Sequence, residues 1–182
     1  GIVIDAQTFK DCDKLQTVEL VNVPFVGEDA FASCDSLETV KISTNIDEEG
    51  SISIESGAFG MCQSLKTVNI GQHVFYDERG AILDGSTGVE SLTLKSFAFT
   101  KEGVSSPETY KKNICTIFGI EADAENDLSL KKLSIDFTDM IPSGFVKGFK
   151  SLESVSINES EIKTVGNEAF MGCNKLSTIS LK

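Results

Sequence analysis

The chain has 182 residues, enough for one domain of ordinary size. Hydrophobic residues make up 40% and charged residues 24%, a composition that excludes a disordered chain. A net charge of −12 argues against nucleic acid and anionic lipid as partners, because both call for clustered Lys and Arg. Basic partners and Ca²⁺ bridging stay compatible with that charge.

Taken in order, the chain repeats itself. Ile4, Phe9, Cys12, Leu15, Val18 and Leu20 form the first segment. Val26, Phe31, Cys34, Leu37, Val40 and Ile42 form the second, and Ile54, Phe59, Cys62, Leu65, Val68 and Ile70 the third. Two weaker copies follow, each keeping only a second half: Val89, Leu92 and Leu94, then Leu130, Leu133 and Ile135. Ile141, Val146, Phe149, Leu152, Val155 and Ile157 restore the pattern with Phe in the Cys slot. Val165, Phe170, Cys173, Leu176, Ile179 and Leu181 close it. The apolar steps are 5, 3, 3, 3 and 2 in every full copy. Successive Leu-type positions lie 22, 28, 24, 41, 22 and 24 residues apart. Most of these spacings fit a leucine-rich repeat of about 20–29 residues.

Each half of the repeat predicts an element. The L-x-x-V-x-L half ends in period-2 alternation, the mark of a short strand with one buried face. The I-x4-F-x2-C-x2-L half steps by 3 to 5, which predicts helical or 3₁₀ turns, or short strands, facing inward. One unit cannot cover its own apolar side, so neighbours must stack, with a ladder of Phe as the spine. The expected fold class is α/β: a right-handed solenoid of about seven repeats with its strands on a concave sheet. It should form a single domain over 1–182, with irregular insertions near 71–88 and 96–129.

The strings Glu28-Asp-Ala-Phe-Ala-Ser-Cys-Asp-Ser-Leu37, Ser56-Gly-Ala-Phe-Gly-Met-Cys-Gln-Ser-Leu65 and Asn167-Glu-Ala-Phe-Met-Gly-Cys-Asn-Lys-Leu176 carry an A-F-x-x-C-x-x-L signature. It resembles that of BspA-like leucine-rich repeats, most closely over residues 1–70 and 141–182. The resemblance implies adhesion or recognition at the surface of host-associated microbes. An extracellular or cell-surface location follows as an expectation, with a signal peptide removed ahead of Gly1. Host matrix or surface proteins follow as expected partners. The last residues fall on a strand without a polar cap, so a longer protein or end-to-end self-association is expected.

Binding residues should lie between the buried positions of the strands, where side chains point outward. Those positions are Thr17, Glu19, Thr39, Lys41, Thr67, Asn69, Ser91, Thr93, Lys132, Ser134, Ser154, Ser156, Thr178 and Ser180. Ten of the fourteen are Ser or Thr, which suits either a solvated pleated surface or a binding face. Thr17, Glu19, Thr39, Lys41, Thr67 and Asn69 are the principal candidates. Seven strands about 4.8 Å apart and about 17 Å long offer roughly 500 Å², against about 800 Å² per partner in a standard interface. A tight partner would therefore also need the loops, where Phe75, Tyr76 and Tyr110 are candidate anchors. Phe75 and Tyr76 read first as core of a degenerate repeat, and as anchors second.

Catalytic and metal chemistry find little support. Cys12, Cys34, Cys62 and Cys173 share one slot, which also accepts Phe149, so reduced core thiols are expected there. Disulfides between rungs are the weaker alternative, and Cys115 stays open. His73 is the only histidine, has no nucleophile elbow beside it, and reads as a loop residue. The acidic run Glu121–Asp127 starts like a Ca²⁺ loop, but Asn126 and Lys132 stand where Gly and Glu are required. Asp47-Glu48-Glu49 reads as a solvated loop, and Asn158-Glu-Ser160 as a chance sequon. Neither an enzyme nor a cofactor is expected. The function expected is a non-catalytic protein-binding or adhesion module, with a structural spacer as the alternative.

Overall fold

The computed structural model describes residues 1–45, 51–76, 80–96, 114–121, 124–137, 140–158 and 162–182. The L-x-x-V-x-L halves form β2 (Thr17–Val21), β4 (Thr39–Ser43), β6 (Thr67–Ile70), β8 (Ser91–Ser96), β9 (Lys132–Phe137), β11 (Ser154–Ile157) and β13 (Thr178–Leu181). They pair in chain order as one parallel seven-stranded sheet. Its register joins equivalent positions: Thr17↔Thr39↔Thr67↔Ser91↔Lys132↔Ser154↔Thr178 form one row. Val18, Val40, Val68, Leu92, Leu133 and Val155 form the adjacent inward row and are buried. Slipping one residue would turn every valine to water, so the alternation fixes the register.

Among the described residues, short strands cover the opposite side at the start of six of the seven repeats. β1 (Val3–Ile4), β3 (Phe25–Val26), β5 (Ser51–Ile54) and β7 (His73–Tyr76) make a parallel four-stranded sheet. β10 (Met140–Ile141) and β12 (Thr164–Val165) pair in the same manner. The 73–76 segment is thus a strand, and His73 sits on it rather than on a loop.

Of the helical turns or short strands expected opposite the sheet in the α/β class, the described residues show short strands and almost no helix. The only α-helix among the described residues is the single turn α1 (Ile114–Ile117), so the architecture is a parallel β-solenoid. The reason lies in where the turn amides go. Gln7, Phe9 and Asp11 donate their N–H groups across the stack to the carbonyls of Glu28, Ala30 and Ala32, at 2.9, 2.7 and 3.0 Å. Phe31 and Ser33 do the same toward Ala58 and Gly60. A helix needs those amides for its own i−4 carbonyls. Within the first rung the turn bonds reach back two or three residues, such as Cys12 N–H to Phe9 O at 3.3 Å. Left-handed residues two before and two after the Phe slot complete the turn: Gln7 and Asp11, Asp29 and Ser33, Gly57 and Met61, Glu168 and Gly172. A left-handed residue every four positions cannot propagate a right-handed helix.

The core runs unbroken through the stack. Phe9, Phe31 and Phe59 stack nearly parallel, with centroids 5.0 and 5.1 Å apart. The expected Phe spine is therefore real over the first three rungs. Leu83 then takes the Phe slot, since Phe59 N–H bonds Ile82 O just as Phe31 N–H bonds Ala58 O. Toward the other end Phe145 meets Phe170 edge-on at 6.3 Å.

Candidate functional site

The Cys slot is not purely apolar. The Cys34 thiol donates to Phe9 O at 3.2 Å, Cys62 to Phe31 O at 3.3 Å, and Cys173 to Val146 O at 3.1 Å. Each thiol thus satisfies a carbonyl of the preceding rung. In the fourth rung Ser86 fills the slot: its hydroxyl donates to Phe59 O at 2.7 Å and accepts from Cys62 N–H at 2.9 Å. Ser86 escaped the apolar alignment because it is polar, yet Leu83, Ser86, Val89, Leu92 and Leu94 keep the steps 3, 3, 3 and 2. All five cysteines are free thiols. Cys34, Cys62 and Cys115 are buried, Cys173 is half-buried and Cys12 is exposed, so the slot is core only where a rung covers it. Burial pushes the Cys62 thiol up to about 11 and raises Cys34 and Cys173 as well. These thiols are poor nucleophiles and structural in role.

The outward face of the seven-stranded sheet carries the principal candidates. Thr17, Thr39 and Thr67 lie side by side in register, as do Glu19, Lys41 and Asn69 one pleat further along. All six are exposed or half-buried. Lys41 donates to Glu19 at 3.1 Å; with both ends more than half exposed, that pair adds little stability. Phase and register therefore bring these six residues onto one surface. Phe75 and Tyr76 do not join it. They lie on the other sheet, in register with Ser53 and Ile54. Tyr110 lies outside the described residues, as do Asp47-Glu48-Glu49 and parts of the Glu121–Asp127 run and of the 158–160 sequon.

One feature of this face is absent from the apolar pattern. The residue ahead of each strand forms a further row, joined by backbone hydrogen bonds of 2.8–3.0 Å: Gln16, Glu38, Lys66, Glu90, Lys131, Glu153 and Ser177. Its charges alternate in sign. The signal was present at a fixed place, one residue after the Leu slot, but an alignment of apolar positions passes over it. Lys131 donates to Glu90 at 3.0 Å and, with help from Lys66, holds that carboxyl below the ordinary carboxylate value. Around Glu90 the surface opens into a cleft of about 210 Å³, lined by Lys66, Thr67, Glu90, Ser91, Lys131 and Lys132. Pockets for drug-sized ligands and cofactors run to roughly 300–1,000 Å³, so this one suits a side chain or a small ion.

Among the described residues no group of three or more His, Cys, Asp or Glu could hold a metal ion, and no helix is long and apolar enough to cross a membrane. His73 opens β7, in register with Ser51 of β5.

Comparison with known proteins agrees with this architecture. The BspA type leucine-rich repeat region, in six copies, matches residues 2–101 and 139–182. A crystal structure of a leucine-rich repeat protein from T. pallidum is similar over 97% of this chain and 72% of its own, with a TM-score of 0.52 and 18% identity. A leucine-rich repeat protein from Bacteroides ovatus matches over 98% of this chain and 58% of its own, with a TM-score of 0.32 and 18% identity. No curated protein matches the chain. At 18% identity the T. pallidum structure speaks for the fold alone. The family match covers most of the chain and coincides with the rungs that stack Phe on Phe and set thiol against carbonyl; the chain belongs to the BspA-type leucine-rich repeat family.

Proposed function

We propose that the protein is a non-catalytic interaction module that binds a protein partner through the outward face of its seven-stranded sheet. The observation that carries this reading is the register. It sets fourteen polar side chains, Thr17 to Ser180, in two unbroken rows on a rigid support. A face built on strands holds its groups in place better than one built on loops. Family membership supports a repeat scaffold of this type. Display at the cell surface and adhesion to matrix or host-surface proteins extend the reading, and weak contacts would gain by multivalency when many copies are displayed. The irregular segments, with Tyr110 among them, would supply the area that the roughly 500 Å² sheet lacks.

The test uses the full chain against a panel of immobilised extracellular-matrix proteins. Thr39→Arg combined with Thr67→Arg changes only outward positions. Binding by the parent chain that is lost in the double variant, with an unchanged melting temperature, supports the sheet face. Binding that survives in the variant places the site elsewhere. Binding to none of the panel favours a spacer with no ligand of its own.

A further inference from the structure

We infer that the cleft between β6, β8 and β9 is a carboxylate-binding subsite, which takes an Asp or Glu side chain of a protein partner. The inference rests on the proposed sheet-face reading and names the chemistry one part of that face recognises.

The first argument is charge. The chain carries 28 acidic against 16 basic residues, yet this cleft is lined by three lysines and one glutamate. Two of the lysines have partners. Lys131 is paired with Glu90, and Lys66 donates to the Gly88 carbonyl at 3.3 Å. Lys132 is exposed and makes no ion pair among the described residues. It is also out of place: six of the seven residues in its row are Thr or Ser, and it alone is charged. Lys132 has the Ser91 hydroxyl on the neighbouring strand and Thr67 on the strand beyond, so the cleft offers a carboxylate one charge-assisted donor and neutral donors along the same row.

The second argument separates one carboxylate from a polyanion. A sulfated polysaccharide running across the strands would follow the row that holds Lys66 and Lys131. It would then meet Glu38, Glu90 and Glu153 in alternation with the two lysines. Like charges facing each other at that spacing cancel the attraction. A single carboxylate entering from above meets only the local excess. The volume agrees, since 210 Å³ accepts one side chain and its water, not a chain of sugars.

Backbone amide resonances of the ¹⁵N-labelled full chain read the test. The probes are a blocked Gly-Gly-Glu-Gly-Gly peptide, its Gln counterpart and a heparin-derived tetrasaccharide. We expect the Glu peptide to shift the amides of Thr67, Ser91 and Lys132 and to saturate in the millimolar range. The Gln peptide should bind about three- to fivefold more weakly, and Lys132→Gln should weaken the Glu peptide by a similar factor. Lys132 is on the surface, so the variant should fold; Ser91→Ala serves as a second, milder loss. No shift at these amides, an equal response to both peptides, or binding untouched by Lys132→Gln would overturn the inference. So would a tetrasaccharide that displaces the Glu peptide at lower concentration. The titration needs no knowledge of the partner. A silent cleft in a chain that still binds the matrix panel through its sheet removes the subsite alone. Peptide binding in a chain that binds none of the panel removes the adhesion reading alone.

Discussion

At the scale of single residues, the position after each Phe turn decides how rungs are tied together. Ser86 joins two of them: its hydroxyl serves the Phe59 carbonyl and the Cys62 amide, both deep in the stack. Ser86→Ala should lower the unfolding free energy in urea by about 2–3 kcal/mol, because a buried donor and acceptor lose their partner together. Ser86→Cys should recover most of that loss, since a thiol fills the same role at Cys34 and Cys62. An equal loss in both variants would show that the slot needs volume and not a donor. The cysteines were legible in the sequence as one aligned slot. Their hydrogen-bonding role was not, because Phe149 in the same slot pointed to apolar filling. Likewise Gln7, Met61 and Glu168 carry positive φ angles of 59°, 54° and 55°, which nothing in their chemistry announces.

At the scale of elements, the stacked rings hold the first three rungs together. Phe31 lies between Phe9 and Phe59 and is buried, whereas Phe9 is 40% exposed and stacked on one side only. Phe31→Ala should cost about 3–5 kcal/mol, and Phe9→Ala clearly less. Chemical denaturation of the two variants checks the order, and equal losses would contradict the stacked arrangement. Both strand rows were legible beforehand, because period-2 alternation names the buried and the outward residue of each pair. On the turn side the spacing allowed helical or 3₁₀ turns or short strands, and the helical option fails for an equally physical reason. Steps of 3 and 5 describe a helix when amides bond within the segment. The same steps describe a tight turn when Gln7, Phe9 and Asp11 donate to the next rung, and apolar spacing cannot tell the two apart.

At the scale of the molecule, every rung leans on its neighbours and the stack has graded stability. Val40, Val68 and Leu92 are fully buried, while Val165, Ile179 and Leu181 are each more than 40% exposed. Hydrogen exchange should therefore be slowest in β4, β6 and β8 and fastest in β12 and β13, with no sharp boundary between. Uniform protection from end to end would argue for a single all-or-none unit.

The row of alternating charges ahead of the strands has a consequence for how such a chain can grow. Glu38, Lys66, Glu90, Lys131 and Glu153 repeat every second rung, although the core repeats every rung. Duplicating one rung would set Glu beside Glu or Lys beside Lys along the edge, at a cost in repulsion. Duplicating two adjacent rungs would leave every neighbour opposite in sign. By charge alone, a pair of repeats is the smallest unit that could be added without setting like charges side by side, twice the unit that the Phe and Leu positions define.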